Sequence, residues 1–146
     1  MAANDLIRRQ RSLVATAFGL LLAACVTGGE IAGEPCLDDS GGCVDRRIAV
    51  LDAMVADPQR HWVNEPASRQ MHASGIRLFA YQATKDKMSC QELSAGLREM
   101  KEVKLALGSG PAPGMSAERG NLVKAMADDV AEQLHKTRKA KHCGKA

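Results

Sequence analysis

Five cysteines, four histidines, a lone tryptophan and a lysine-rich end are the parts of this 146-residue chain that could do chemistry. Cys25 closes an apolar run. Cys36, Cys43, Cys90 and Cys143 follow, separated by six, 46 and 52 residues. None of these gaps is the C-x₂-C pair that structural zinc sites use. An even set of thiols in an oxidising compartment reads instead as two disulfides. The loop Arg60-His61-Trp62-Val63-Asn64-Glu65-Pro66 sets Trp62 among cationic and hydrogen-bonding groups, Arg60, His61 and Asn64. Trp and Arg often anchor binding surfaces. The competing reading is a tryptophan that plugs the end of a bundle, since large aromatics are usually mostly buried. Lys136, Arg138, Lys139, Lys141 and Lys145 form a basic end that could meet phosphate or cell-wall anions, or could simply complement a helix C-terminus. Thr84-x-x-Lys87 is read as a polar loop. There is no H-E-x-x-H, no G-x-S-x-G and no glycine-rich phosphate loop with its lysine. We assign no catalytic residue, metal ligand or cofactor.

The elements that must position these groups are helical. Aromatics are scarce (Trp62, Phe79 and Tyr81 beyond the first 24 residues), and the chain is rich in Ala, Leu and Met, which favour helix. Val26–Gly42 is broken by five glycines and a proline and carries Glu30, Glu34, Asp38 and Asp39, so it reads as an acidic tether. Helix one should run from Cys43 to Ala56 and bury Val44, Ile48, Leu51 and Val55, which recur at spacings of four, three and four. Pro58 ends it, and the Trp62 loop runs to Pro66. Ser68 would cap a second helix to about Ala83, although Gly75–Tyr81 also suits a strand. Ser89 and Glu92 form an S-x-x-E capping box ahead of Leu93, Leu97, Met100, Val103 (or Lys104) and Leu107. Gly108–Gly114 stops that helix. Ser116 opens the last, from Ala117 to His142, with Leu122, Met126, Val130 and Leu134 as its stripe, assisted by Val123 and Ala127. The expected fold is all-α: a small antiparallel bundle of three to four helices over residues 43–146.

Short connections make sequential helices antiparallel, which gathers all four thiols at one pole. A last helix longer than its predecessor would overshoot that pole, at 1.5 Å per residue, and carry Cys143 to the tether. The expected bridges are therefore Cys43–Cys90 and Cys36–Cys143. The acidic tether facing the basic end points the same way. A Cys36–Cys43 bridge would exclude this pairing.

The first 24 residues have another purpose. Arg8, Arg9 and Arg11 precede 13 uncharged residues, Ser12–Ala24, too short for the roughly 20 that span a bilayer. Leu22-Ala23-Ala24-Cys25 resembles the lipobox of bacterial lipoproteins. The resemblance covers only this targeting segment. It implies cleavage before Cys25, a diacylglyceryl group on its thiol and acylation of the new amine. Such a triacylated residue is a stable membrane anchor. By the same resemblance, Val26 in place of an aspartate implies the outer membrane, facing the periplasm. Losing residues 1–24 removes three arginines and Asp5, leaving 17 basic and 16 acidic side chains of the original 20 and 17. A charge so near zero argues against a nucleic-acid binder.

The expected function is a non-enzymatic binding or scaffold module of the cell envelope, held by membrane lipid through Cys25 and docking on another envelope protein. Two alternatives remain: a small cell-wall-modifying hydrolase using the Trp62 loop, and a ligand of lipid A or cell-wall polyanions through Lys136, Arg138, Lys139 and Lys141.

Overall fold

The structure, a computed structural model, describes residues 35–144; the expected leader 1–24, Cys25 and the expected tether as far as residue 34 lie outside them. The described chain is all-α, with no strand. Five helices follow in order: α1 (Gly41–Ala56), α2 (Arg69–Ser74), α3 (Ile76–Thr84), α4 (Cys90–Gly108) and α5 (Ala117–Ala140). Short 3₁₀ turns at His61–Asn64 and Lys85–Lys87 fill two of the connections. Among the described residues no helix is long and apolar enough to cross a membrane.

The α4–α5 pair is the frame. Ser89 caps α4 as its sequence predicts: its hydroxyl accepts from Glu92 N at 3.2 Å, and the Glu92 carboxylate accepts from Ser89 N at 2.6 Å. All five expected positions of α4, Leu93, Leu97, Met100, Val103 and Leu107, are buried. They meet Val123, Ala127, Val130 and Leu134 of α5 in one core. Leu122 was expected in that stripe but stands 60 % exposed. Gly96 lets the two helices and α3 close: a Cβ there would sit 2.8 Å from the Tyr81 ring and 2.9 Å from Leu134 Cδ1.

The expected second helix is two helices. Gly75 adopts φ +75°, ends α2 and starts α3, a conformation that costs glycine little. The Ser74 hydroxyl donates to Met71 O and accepts from Ile76 N, which fixes the bend. Gly75–Tyr81 therefore turns into helix α3, and the strand alternative is excluded.

Helix α1 forms where expected, but its buried face differs. Ile48 is 50 % and Val55 40 % exposed; Cys43 and Met54 are buried, with Val50 and Leu51 partly so. One residue's rotation, 100° about the axis, separates the two faces. Two restraints set it. Cys43 is bonded to Cys36, and Met54 O accepts the Trp62 Nε1–H at 2.9 Å.

Both expected bridges are corrected. The structure joins Cys36 to Cys43 and Cys90 to Cys143, with Cα separations of 5.7 and 5.4 Å. Arg47 gathers the first loop onto α1, donating to Asp38 O at 2.8 Å and Cys36 O at 3.5 Å. Residues 35–40 are thus packed rather than tethered: Leu37 is buried, and Pro35 O accepts from Gln70 Nε2 at 3.0 Å. At the other end α5 stops at Ala140. Cys143 N then donates back to Arg138 O, and His142 takes φ +55°, so the chain turns towards α4 rather than overshooting it. Lys141 Nζ docks this turn on Asp86 O and Met88 O, both at 2.7 Å and both beside Cys90. The acidic segment does meet a cation of α5, but at the opposite end: Asp39 pairs with Arg119 and with Arg47.

Candidate functional site

The Trp62 loop is built inward. Arg60 takes a left-handed backbone, φ +50°, and its guanidinium grips the Glu92 carboxylate at 2.8 and 3.3 Å. This pair, with the Ser89 backbone and hydroxyl, keeps the Glu92 carboxyl below its usual range against the opposing effect of burial. His61 is exposed and lies 3.2 Å from Asp57. Asn64 is exposed. Trp62 is only 3 % exposed and meets Tyr81 edge-on, with ring centroids 4.8 Å apart. It plugs the bundle. A docking role for its face is not available in this fold.

Beneath Trp62 lies a polar centre that sequence reasoning missed. Arg77 Nε and Nη2 donate to the two Glu99 oxygens at 2.5 and 2.7 Å. Tyr81 OH donates to Glu99 Oε2 at 2.8 Å. The Arg77 guanidinium also lies 5.5 Å from the Trp62 ring centroid. His72 Nε2 stands 3.8 Å from Glu99 Oε1, without a hydrogen bond. All of these side chains are buried. Burial lowers the His72 pKa, with Glu99 opposing it, so the ring is neutral at pH 7. Burial and the Glu99 charge push the Tyr81 phenol well up. Burial works against the Arg77 charge, but Glu99 outweighs it and holds the guanidinium protonated. Arg77 and Tyr81 lie four apart in an otherwise apolar run, one helix face, and that is the signal the sequence offered. With its charges paired and screened from water, this centre suits a structural role rather than proton transfer to a substrate.

The other sequence candidates separate. Lys136 pairs with Glu132 at 2.6 Å, and Lys141 caps the Lys85–Lys87 turn as described. Lys139 is exposed, whereas Arg138 is half-buried and turns into the seam between α4 and α5. Thr84 is buried and donates to Ala80 O at 2.7 Å, a local bond that leaves no pair with Lys87. Cys36, Asp38 and Cys43 bring possible metal-ligand atoms within 4.8 Å, but both sulfurs are consumed in their disulfide.

The surface feature of this molecule is apolar. Val44, Ile48 and Leu51 of α1 with Ile76 and Phe79 of α3 line a groove of about 290 Å³. At Phe79, Ser74 and Arg119 it continues into a second, of about 450 Å³, lined by Leu122, Val123 and Met126 of α5 and rimmed by Asp39, Ser116 and Glu118. Phe79 is 45 % exposed. Three of the four residues that periodicity assigned to the core, Val44, Ile48 and Leu51, thus form one wall of an open groove. Comparison with family models, curated proteins and solved structures finds no match for this chain.

Proposed function

We propose that this chain is a lipid-anchored, non-enzymatic envelope module that receives an apolar helix of another envelope protein in the groove between α1, α3 and α5. One observation carries the reading: a continuous groove walled by Val44, Ile48, Leu51, Phe79 and Leu122, of which Ile48, Phe79 and Leu122 stand largely exposed. Exposed apolar patches of this kind mark interaction surfaces. Val44 to Leu51 spans two turns of α1, about 10 Å, which matches the i to i+7 span over which helix-in-groove partners place their anchors. The leader and Cys25 support the anchor through their resemblance to the lipobox.

The two halves of the reading are tested separately. For docking, envelopes solubilised in mild detergent are captured on the parent chain, on a Phe79→Asp variant and on a Leu105→Asp variant. Leu105 is 77 % exposed on α4, outside the groove. A near-stoichiometric protein retained by the parent and by Leu105→Asp, and lost with Phe79→Asp, supports docking. A protein that Phe79→Asp still retains overturns it, as does capture of none. For the anchor, Cys25→Ser moves the chain from sedimented membranes to the supernatant; continued sedimentation overturns the lipid attachment and leaves the docking result untouched.

A further inference from the structure

Helices α4 and α5 divide their charges unequally. Their seam holds a second groove, of about 300 Å³, lined by Ser94, Leu97, Arg98 and Lys101 of α4 and by His135 and Arg138 of α5. Three permanent cations and an imidazole line one cleft that no carboxylate lines. The acids of the two helices lie outside the groove's lining, Glu118 at the other end of α5. Glu92 holds Arg60, Glu99 holds Arg77, Asp128 holds Lys104, Asp129 accepts from Gln133, and Glu132 holds Lys136. Glu102 favours the His72 proton; it is exposed, four residues from Arg98 and so on the flank of the groove rather than in its lining. Arg98, Lys101, His135 and Arg138 have no ion-pair partner among the described residues, and the buried Nε of Arg138 has no hydrogen-bond acceptor.

We infer that this groove binds a phosphate monoester, the dianionic group shared by a phosphatidate-type lipid headgroup and by soluble phosphate esters. A cleft of one charge sign with a low-dielectric wall concentrates counter-ions; buried Leu97 supplies part of that wall. The two guanidinium forks, Arg98 and Arg138, match phosphate oxygens in pairs, and Lys101 adds a point charge. Ser94 takes no part as a donor, because its hydroxyl is already given to Cys90 O at 2.7 Å. The site depends on neither the apolar groove nor Cys25. It also moves anion binding from the basic run itself to the seam beside it: of the four tail residues, Arg138 alone lines the groove.

The full chain is titrated with glycerol 3-phosphate and with water-soluble dihexanoyl phosphatidic acid, with dihexanoyl phosphatidylcholine for comparison, following backbone amide resonances. Both monoesters should bind and shift residues 94–101 and 135–138. An Arg98→Gln/Lys101→Gln variant should bind at least about tenfold more weakly, as expected when two charge-assisted contacts are lost. Lys139→Gln, exposed and outside the groove, should match the parent. Arg98 and Lys101 are exposed and hydrogen-bonded to nothing described, so the variant should fold; should it not, Lys101→Gln alone serves. Phosphatidic acid binding about tenfold tighter than glycerol 3-phosphate names a lipid headgroup as the source, whereas equal binding names a soluble ester. Absence of binding by both, shifts confined to other residues, or equal binding by parent and variant overturns the site.

Discussion

Helices α4 and α1 are both amphipathic, and the contrast between them shows what periodicity encodes. In α4 every expected apolar position is buried, its capping box closes, and Cys90 is stapled to the far end of α5. In α1 Ile48 and Val55 of the expected stripe face outward while Val44 and Leu51 are half-buried, Ser40 makes no side-chain cap, and the disulfide reaches only seven residues back. A helix buried on one side has a single rotational answer. One that rests mainly on α3 can be turned by a local clip and one hydrogen bond. Apolar spacing reports that a helix has a sticky face; whether that face meets its own chain or another is decided elsewhere.

The contrast can be broken most forcefully through Glu99. Glu99→Gln leaves Arg77 charged and buried with half its pairing gone, and should cost about 3–5 kcal/mol in denaturant unfolding. A loss below about 1 kcal/mol would show that the polar centre is not part of the frame. The disulfides come next. By the chain-entropy account, Cys90→Ala/Cys143→Ala should lose about 4 kcal/mol, and Cys36→Ala/Cys43→Ala about 2.5, given sequence separations of 53 and seven. Reversal of that order would make the clip, not the staple, the main restraint.

His72 gives a smaller and pH-dependent effect. Its folded pKa lies below the ordinary 6.5, so the unfolded chain binds the extra proton and stability should fall as pH drops below about 6.5. The groups facing it are Glu99 and Glu102, which favour its proton, and Arg77, which opposes it. Comparing the parent with His72→Gln across pH 7 to 5 isolates this slope, at most about 1.4 kcal/mol per pH unit. Parallel curves would place a charged, accessible His72 in the folded state. The smallest effect sharpens the comparison best. Ile48→Ser should change stability by less than about 0.5 kcal/mol, being half-exposed, whereas Leu97→Ser, equally apolar in sequence, should cost several times more.

How much was legible follows the same division. Ser89 with Glu92, and Ser116 at the start of α5, state their helix boundaries within four residues, so local chemistry suffices. Gly75 was visible too, but whether it interrupts a helix depends on Ser74 bonding across the bend and on Val123 packing 3.7 Å from where a Cβ would stand. Arg77 and Glu99 lie 22 residues apart, and nothing in either segment names the other. The disulfides failed for a related reason. Helix lengths predicted an overshoot, yet a left-handed residue at His142 reversed the chain after α5. The cationic groove was half-read: Arg138 was singled out, but as part of a run along the chain rather than as the partner of Arg98 and Lys101 across a seam.

The two sulfur links also fix how the domain bears load. Tension entering at Pro35 reaches Cys36 and crosses directly to Cys43, so residues 37–42 carry none of it and Asp39 can keep its hold on Arg119. The stretch between Cys90 and Cys143 cannot lengthen at all while its bond stands, which locks away roughly 180 Å of contour at about 3.4 Å per residue. Pulled between Cys36 and Cys143, the molecule could lengthen only through residues 44–89, which neither bridge encloses, until a reductant frees the length stored beyond Cys90.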